Sequence, residues 1–216
     1  MHNAVVWAVV AWIGVQAVTA VQALQEPARE FSCTVFSANL SEAGLVERYG
    51  RSKVKRAAVF GADDGSQDGT VVFDGSPLRL EAAWWDPASR VRLAWVRTRE
   101  TVSPWHTPNG VAIGMDLRSI EERNGWPFRL AALGGPEGRG VIRSWGRGRL
   151  QSASTDDCRV SINLQPTGDR RIDPAFSKQV FRGSEFSSGH PAMQAINPRV
   201  VALVVAHQPE RPRAAP

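Results

Sequence analysis

The sequence predicts an α+β fold in which two tandem copies of a short helix, each followed by an antiparallel β-meander, pack around a shared core. Two capped amphipathic helix patterns occur in the chain, and alternating apolar segments typical of half-buried antiparallel strands follow each of them. A unit of about 70 residues rarely buries enough apolar surface to fold alone. The 216 residues, 43% of them hydrophobic and 22% charged, suffice for one such composite domain.

The first 23 residues predict a secretory signal peptide. No Asp, Glu, Lys or Arg precedes Glu26, and the segment 4–18 is almost entirely apolar. Small residues at Ala20 and Ala23 suit cleavage by a signal peptidase. The alternative is an uncleaved anchor, because residues 4–24 are just long enough to span a bilayer. The signal predicts a periplasmic or secreted protein of a Gram-negative bacterium.

The chain contains two cysteines, Cys33 and Cys158. Thiols of exported proteins are normally oxidised, so a single disulfide between them is expected. A reactive thiol is the alternative, although neither cysteine has a His or Lys beside it in the sequence to activate it. Two isolated cysteines do not form a metal site.

The first copy is predicted over residues 24–100. Its helix carries Leu45 and Val46 on the apolar face, with Ser41 as the N-cap and Gly50 as the C-terminal cap. The strand-like segments that follow are Val54 to Phe60, Thr70 to Phe73, Leu78 to Trp85 and Val91 to Thr98.

The second copy is predicted over residues 101–207. Its helix carries Leu117 and Ile120, with Asp116 as the N-cap and Gly125 as the C-terminal cap. The strand-like segments are Phe128 to Leu133, Gly140 to Trp145, Arg159 to Leu164 and a buried final strand, Arg199 to Ala206. A loop-rich insertion at 165–198, containing a short strand pair at Lys178 to Arg182, and a disordered tail at 208–216 complete the prediction.

The stretch Gly110 to Leu117, with Asn124 to Phe128 after it, resembles a motif of uncharacterised exported bacterial proteins. The same kind of protein shows segments similar to Leu45 to Gly50 and Asn197 to Val200. More distantly, the pattern is similar to the small outer-membrane-assembly lipoproteins and to the secreted β-lactamase-inhibitor proteins. Both are built from helices laid on an antiparallel sheet, so the resemblance implies a fold rather than a function.

Motifs for metal binding and catalysis are weak. The segment Asp64 to Gly69 matches the opening of a calcium loop, but position twelve of that loop is Gly75 instead of Glu, and a polar hairpin loop is the favoured interpretation. The histidines that remain after the signal, His106, His190 and His207, are scattered along the chain. No cofactor is expected.

Arginine supplies most of the basic charge, since 23 of the 26 basic residues are Arg and the formal net charge is +5. Arginines interleave with glycines and a tryptophan at Arg143 to Arg149, a pattern suited to an anionic sugar, a lipid headgroup or an acidic protein loop. The alternative is an ordinary turn with solubilising arginines. The predicted binding residues are Trp126, Arg139, Arg143, Trp145, Arg147 and Arg149.

The tryptophans of the mature chain divide into two groups. Trp84 or Trp85, together with Trp95, lies in strand-like segments and is expected in the core. A second group lies near turns, where two or three exposed indoles would form a recognition surface. Its members are Trp105, Trp126 and Trp145.

Two function classes follow from these observations. The first is an exported, non-enzymatic binding or envelope-associated module whose partner is a protein or an anionic envelope component. Peripheral membrane contact is compatible with it, and export disfavours nucleic acid. The second is an exported hydrolase that uses His106 or His190 with a neighbouring acid or Ser, as in Ser187-Ser188-Gly189-His190. A cleft in which a His meets a carboxylate would favour the hydrolase, whereas the missing catalytic signatures favour the binding module.

Overall fold

A computed structural model describes residues 29–61, 65–133, 140–166, 180–181 and 184–209. The predicted signal peptide and residues 210–216 of the predicted tail lie outside the described residues. The strands are β1 (Val54–Phe60), β2 (Ser66–Val72), β3 (Leu80–Asp86), β4 (Val91–Thr98), β5 (Arg129–Ala131), β6 (Gly140–Ser144), β7 (Cys158–Gln165), β8 (Glu185–Ser187) and β9 (Arg199–His207). The helices are α1 (Glu42–Tyr49), α2 (Leu117–Asn124) and α3 (Pro191–Ile196), with a 3-10 turn at Arg51–Lys53.

The strands form one antiparallel sheet in the order β1-β2-β3-β4-β9-β7-β6-β5-β8. The predicted α+β class is therefore confirmed. The first half of the sheet, β1 to β4, meets the second half where β4 pairs with β9, for example through Val96 and Val205. Within the described residues, no helix is both long enough and apolar enough to cross a membrane.

The predicted helix caps of α1 and α2 are confirmed. The Ser41 hydroxyl accepts a hydrogen bond from the Gly44 N–H at 3.2 Å at the start of α1. The Asp116 carboxylate accepts one from the Ser119 N–H at 2.9 Å at the start of α2, and this bond lowers the pKa of Asp116. Gly125 ends α2 in the left-handed region at φ +73°, a conformation that glycine adopts without steric cost.

The helices bury their apolar side chains in one cluster on one face of the sheet. Leu45 of α1, Ile120 of α2 and Met193 of α3 all belong to it. Leu80 from the first half and Leu203 from the second half pack into the same cluster. The core is therefore common to both halves of the sheet.

A smaller cluster of Val59, Val71 and Ala83 lies apart from the main core, on the first half of the sheet. Beside it the buried Glu81 carboxylate binds Arg97, with Nη2 at 2.5 Å and Nε at 3.1 Å, and also Arg79 at 2.5 Å. Burial by itself would raise the pKa of Glu81, but these hydrogen bonds outweigh burial and hold it below its ordinary value.

Cys33 and Cys158 form the predicted disulfide, with their Cα atoms 6.1 Å apart. The bond ties the segment that precedes α1 to the first residue of β7. A structural disulfide indicates a compartment outside the cytoplasm, where thiols are oxidised.

The region predicted as a loop-rich insertion contains both β8 and α3. Pro191 occupies the first turn of α3, the His190 ring accepts a hydrogen bond from the Ala192 N–H at 3.2 Å, and Asn197 ends the helix in the left-handed region. Of the strand pair predicted at 178–182, residues 180–181 are described, and they are helical. Val180 is fully buried in the main core.

Candidate functional site

A cleft opens in the second half of the sheet where the pairing of β6 with β7 ends. β6 pairs with β7 only through Gly140 and Val141, while its other edge pairs with β5 through Ile142 and Ser144. The two strands then diverge and leave a space of about 970 Å³. We call this space the β6–β7 cleft; its walls are 143–145, 159–162 and the returning segment 150–156.

The lining of the β6–β7 cleft is rich in hydroxyl groups and arginines. The hydroxyl side chains are Thr107, Ser144, Ser152, Ser154, Thr155 and Ser161. Arg143 and Arg159, both exposed, also line the cleft, and Asp156 provides a negative charge. Buried His207 lies at the same cleft, and its Nε2 atom is 2.8 Å from the carbonyl oxygen of Phe36.

Hydrogen bonds hold the returning segment 150–156 in place. The Ser154 hydroxyl accepts a bond from the Val160 N–H of β7 at 2.9 Å. The Thr155 N–H donates to the Cys158 carbonyl at 2.7 Å, next to the disulfide. The Asn109 side chain donates to the Gln151 carbonyl at 3.0 Å. The wall of the cleft is therefore formed before any ligand binds.

Asn124, the last residue of α2, organises the turn Trp145–Arg149 that borders the cleft. Its fully buried side chain donates to the Trp126 carbonyl at 2.7 Å and to the Trp145 carbonyl at 3.0 Å, and it accepts from the Leu150 N–H at 3.0 Å. A Cβ atom at Gly148 would lie 2.0 Å from this amide, so only glycine allows the contact. The turn is thus fastened to the end of the helix.

The arginines predicted as a binding surface have different surroundings. Arg143 lines the β6–β7 cleft, whereas exposed Arg147 lies on the turn outside it. Arg149 binds the end of α2, where its Nη2 donates to the Glu122 carbonyl at 3.2 Å and its charge favours the helix C-terminus. Arg139 lies outside the described residues.

The three turn-associated tryptophans differ in exposure, and two of them are buried. Trp105 is 2% exposed, because its ring packs against Phe31 and Phe36 and its N–H donates to the Leu78 carbonyl. Trp145 is 9% exposed and packs on Phe128, although it also lines the cleft. Only Trp126 of this group is exposed, at 52%.

The tryptophans of the strands differ in burial, and one of the pair Trp84 and Trp85 lies in the core, as the sequence predicted. Trp84 is buried in the main core, and Trp95 packs on the smaller cluster of the first half. Trp85 is 42% exposed, because it follows Trp84 in β3 and its side chain therefore lies on the opposite face of the strand from the main core.

Several cleft residues were missed by the sequence analysis, among them Asp156, Arg159 and the serines of the returning segment. The length of the connection between β6 and β7 could have indicated them. It has 13 residues, 145–157, whereas hairpin loops usually have about 2–5. Long connections of this kind are often functional.

The three histidines bind main-chain groups. His106 Nδ1 is 3.1 Å from the Thr107 carbonyl oxygen, while His190 caps α3 and His207 contacts the carbonyl of Phe36. In the described ranges none of these rings has a carboxylate as a hydrogen-bond partner. The Ser188 hydroxyl donates to Glu121 instead of a His.

The segment considered as a calcium loop is a hairpin. Gly61 N–H donates to the Gly65 carbonyl at 2.9 Å across the turn, and Ser66 already begins β2. Asp68 pairs with Arg90, while Asp64 lies outside the described residues. Where the structure describes the chain, it contains no group of three or more His, Cys, Asp or Glu side chains that could hold a metal ion.

Comparison with known proteins finds no matching family, no matching curated protein and no matching solved structure. The similarity to exported bacterial proteins therefore stays a hypothesis. Evidence on function comes instead from the preformed cleft and from the groups that line it.

Proposed function

We propose that this protein is an exported, non-enzymatic binding module that holds an anionic component of the cell envelope in the β6–β7 cleft. The observation that carries the proposal is the presence of Arg143 and Arg159 in one cleft lined with hydroxyl groups. Guanidinium groups match carboxylate and phosphate oxygens in a bidentate geometry, and hydroxyls supply further donors. Asp156 is the single acidic residue in the described lining, so the charge balance favours an anion.

A preformed cleft supports a binding role. Its wall is held by Ser154 and by the disulfide of Cys158, so little ordering entropy has to be lost when a ligand binds. Hydrolysis would need a nucleophile beside a base, whereas His207 in the cleft contacts a main-chain carbonyl.

Export is part of the same proposal. The apolar segment 1–23 would direct secretion, and the Cys33–Cys158 disulfide would form once the chain reaches the periplasm or the exterior. Anionic ligands are abundant there as phosphates, carboxylates and lipid headgroups of the envelope.

We further infer that the two halves of the fold are tandem copies. In each half a capped helix precedes an antiparallel meander, and the sheet order β1-β2-β3-β4 is followed by β9-β7-β6-β5. The final strands β4 and β9 thus lie side by side at the centre, as expected for two copies related by a two-fold rotation. This arrangement supports the resemblance to the outer-membrane-assembly lipoproteins and to the β-lactamase-inhibitor proteins at the level of fold.

The binding proposal is tested with purified protein and a panel of anionic envelope components. The panel contains lipopolysaccharide, vesicles of phosphatidylglycerol and soluble peptidoglycan fragments. At least one is expected to bind, with an affinity that falls as salt is raised, because exposed charges are screened over about 8 Å near physiological ionic strength.

Arginine variants distinguish binding in the β6–β7 cleft from binding at the neighbouring turn Trp145–Arg149. Arg143→Gln combined with Arg159→Gln should weaken binding at least tenfold, whereas Arg147→Gln, on the neighbouring turn, should leave it almost unchanged. All variants should retain the melting temperature, since exposed charges contribute little to stability. The proposal is refuted if no panel member binds, or if the double variant binds with unchanged affinity.

A further inference from the structure

Trp126 presents a large apolar ring to solvent from a fixed position. It is 52% exposed and follows the C-terminal cap of α2. Its carbonyl accepts a hydrogen bond from the buried Asn124 amide at 2.7 Å, and Pro127 restricts the backbone after it. An exposed indole on a rigid backbone is suited to stacking against a flat apolar surface.

Beside Trp126 lies a shallow groove of about 450 Å³. Its other lining residues are Arg118, Glu121, Glu122, Gly125, Pro127 and Gln194. We call it the Trp126 groove. The turn Trp145–Arg149 lies between it and the β6–β7 cleft, since Trp145 lines the cleft while Gly146 approaches Trp126.

Hydrogen bonds hold the polar side chains of the groove in place. Gln194 Nε2 donates to the Glu121 carboxylate at 3.3 Å and to the Ser188 carbonyl at 3.0 Å. Buried Ser188 donates its hydroxyl to the same carboxylate. Arg118 Nη2 donates to the Gln194 carbonyl at 2.6 Å. Helices α2 and α3 are thereby joined beneath the groove.

Both hydrogen-bond acceptors and hydrogen-bond donors remain available in the groove. The side-chain oxygen of Gln194 and the exposed carboxylate of Glu122 accept none of the hydrogen bonds formed between described residues. Arg118 uses one N–H group for the Gln194 carbonyl, and its guanidinium has further donors. The groove therefore offers an indole face, two acceptors and a donor.

We infer that the Trp126 groove is a binding subsite for a neutral pyranose ring, such as one sugar unit of an envelope glycan. A pyranose has an apolar C–H face, which stacks on an indole, and a rim of hydroxyls that each donate and accept. An anion would be repelled by the carboxylates of Glu121 and Glu122. A quaternary ammonium ion would be repelled by the guanidinium of Arg118. This inference does not depend on anion binding in the cleft.

The test follows the indole N–H signals of the full mature chain by ¹⁵N NMR. The probes are chitotetraose, maltotetraose and phosphocholine, each titrated to millimolar concentration. The Trp126 signal, assigned from its loss in Trp126→Ala, is expected to shift and saturate with at least one of the two sugars. Phosphocholine is expected to cause no shift.

A matched pair of variants completes the test. Trp126→Ala should abolish sugar binding, measured by the remaining backbone shifts. Trp85→Ala should leave binding intact, since it removes a second tryptophan that is exposed among the described residues. Because both side chains are exposed, both variants should keep the melting temperature. The inference is overturned if neither sugar shifts the Trp126 signal, if phosphocholine alone shifts it, or if binding survives in Trp126→Ala.

Discussion

Replacing Asn124 by Ala is expected to destabilise the whole protein, although the residue lies at the end of a short helix. Its side chain is fully buried and forms three hydrogen bonds, at 2.7, 3.0 and 3.0 Å. The partners are the main-chain groups of Trp126, Trp145 and Leu150, which a methyl group cannot satisfy. Each lost hydrogen bond costs about 1 kcal/mol, so the expected loss in the free energy of unfolding is about 3 kcal/mol.

The assay is urea unfolding followed by circular dichroism, together with thermal melting. In a chain of this size about 3 kcal/mol lowers the melting temperature by roughly 6–12 °C. Asn124→Asp should be at least as damaging, because it keeps the acceptor for Leu150 but places an oxygen against two carbonyl oxygens. Asn109→Ala is the control, since that amide also bonds to a main-chain carbonyl but at an exposed position. A loss of less than about 1 kcal/mol in Asn124→Ala would contradict the reasoning.

Three further outcomes are expected. Mass spectrometry of the intact protein after alkylation should show no free thiol, and two alkylated thiols without reductant would contradict the disulfide. Replacing Cys33 and Cys158 together should lower the free energy of unfolding in urea by about 4 kcal/mol. Because the pKa of Glu81 is lowered in the folded state, its stabilisation is fully present above the ordinary pKa and is lost as the pH falls from there through the folded pKa. Glu81→Gln should therefore be less stable at pH 7 but show a weaker decline in stability as the pH falls below 4.5, the ordinary pKa of Glu. An equal decline in both proteins would refute this assignment. The fragments 24–100 and 101–207 should each fail to unfold cooperatively on their own, because β4 and β9 are paired across them; two sharp melting transitions would argue against the shared core.

The features predicted well from the sequence are those fixed by neighbours along the chain. Ser41 and Asp116 cap their helices because a side-chain oxygen reaches an N–H three residues away. β1 and β4 have the predicted bounds, Val54–Phe60 and Val91–Thr98. The disulfide was predicted from the expected export of the chain and from its two cysteines.

The features that were missed depend on contacts distant in sequence. Trp105 is buried because Phe31 and Phe36 pack on it, and no local pattern links these positions. α3 has six residues and is stabilised by burial rather than by helix propensity. The β6–β7 cleft arises because β6 pairs with β7 only through Gly140 and Val141, and hydrophobic periodicity carries no information on pairing.

The geometry of the β6–β7 cleft also links stability to binding. Its wall is anchored at Cys158, at Ser154 and, through the Trp145–Arg149 turn, at Asn124. Loss of an anchor would leave the residues of the cleft free to adopt other positions. Ligand binding would then have to order them, and the lost conformational entropy would weaken the affinity. Reduction of the disulfide under conditions that keep the protein folded should therefore weaken anion binding while leaving its salt dependence unchanged, because the charges of the cleft are the same. A steeper or shallower salt dependence after reduction would show that the disulfide acts on the charges themselves.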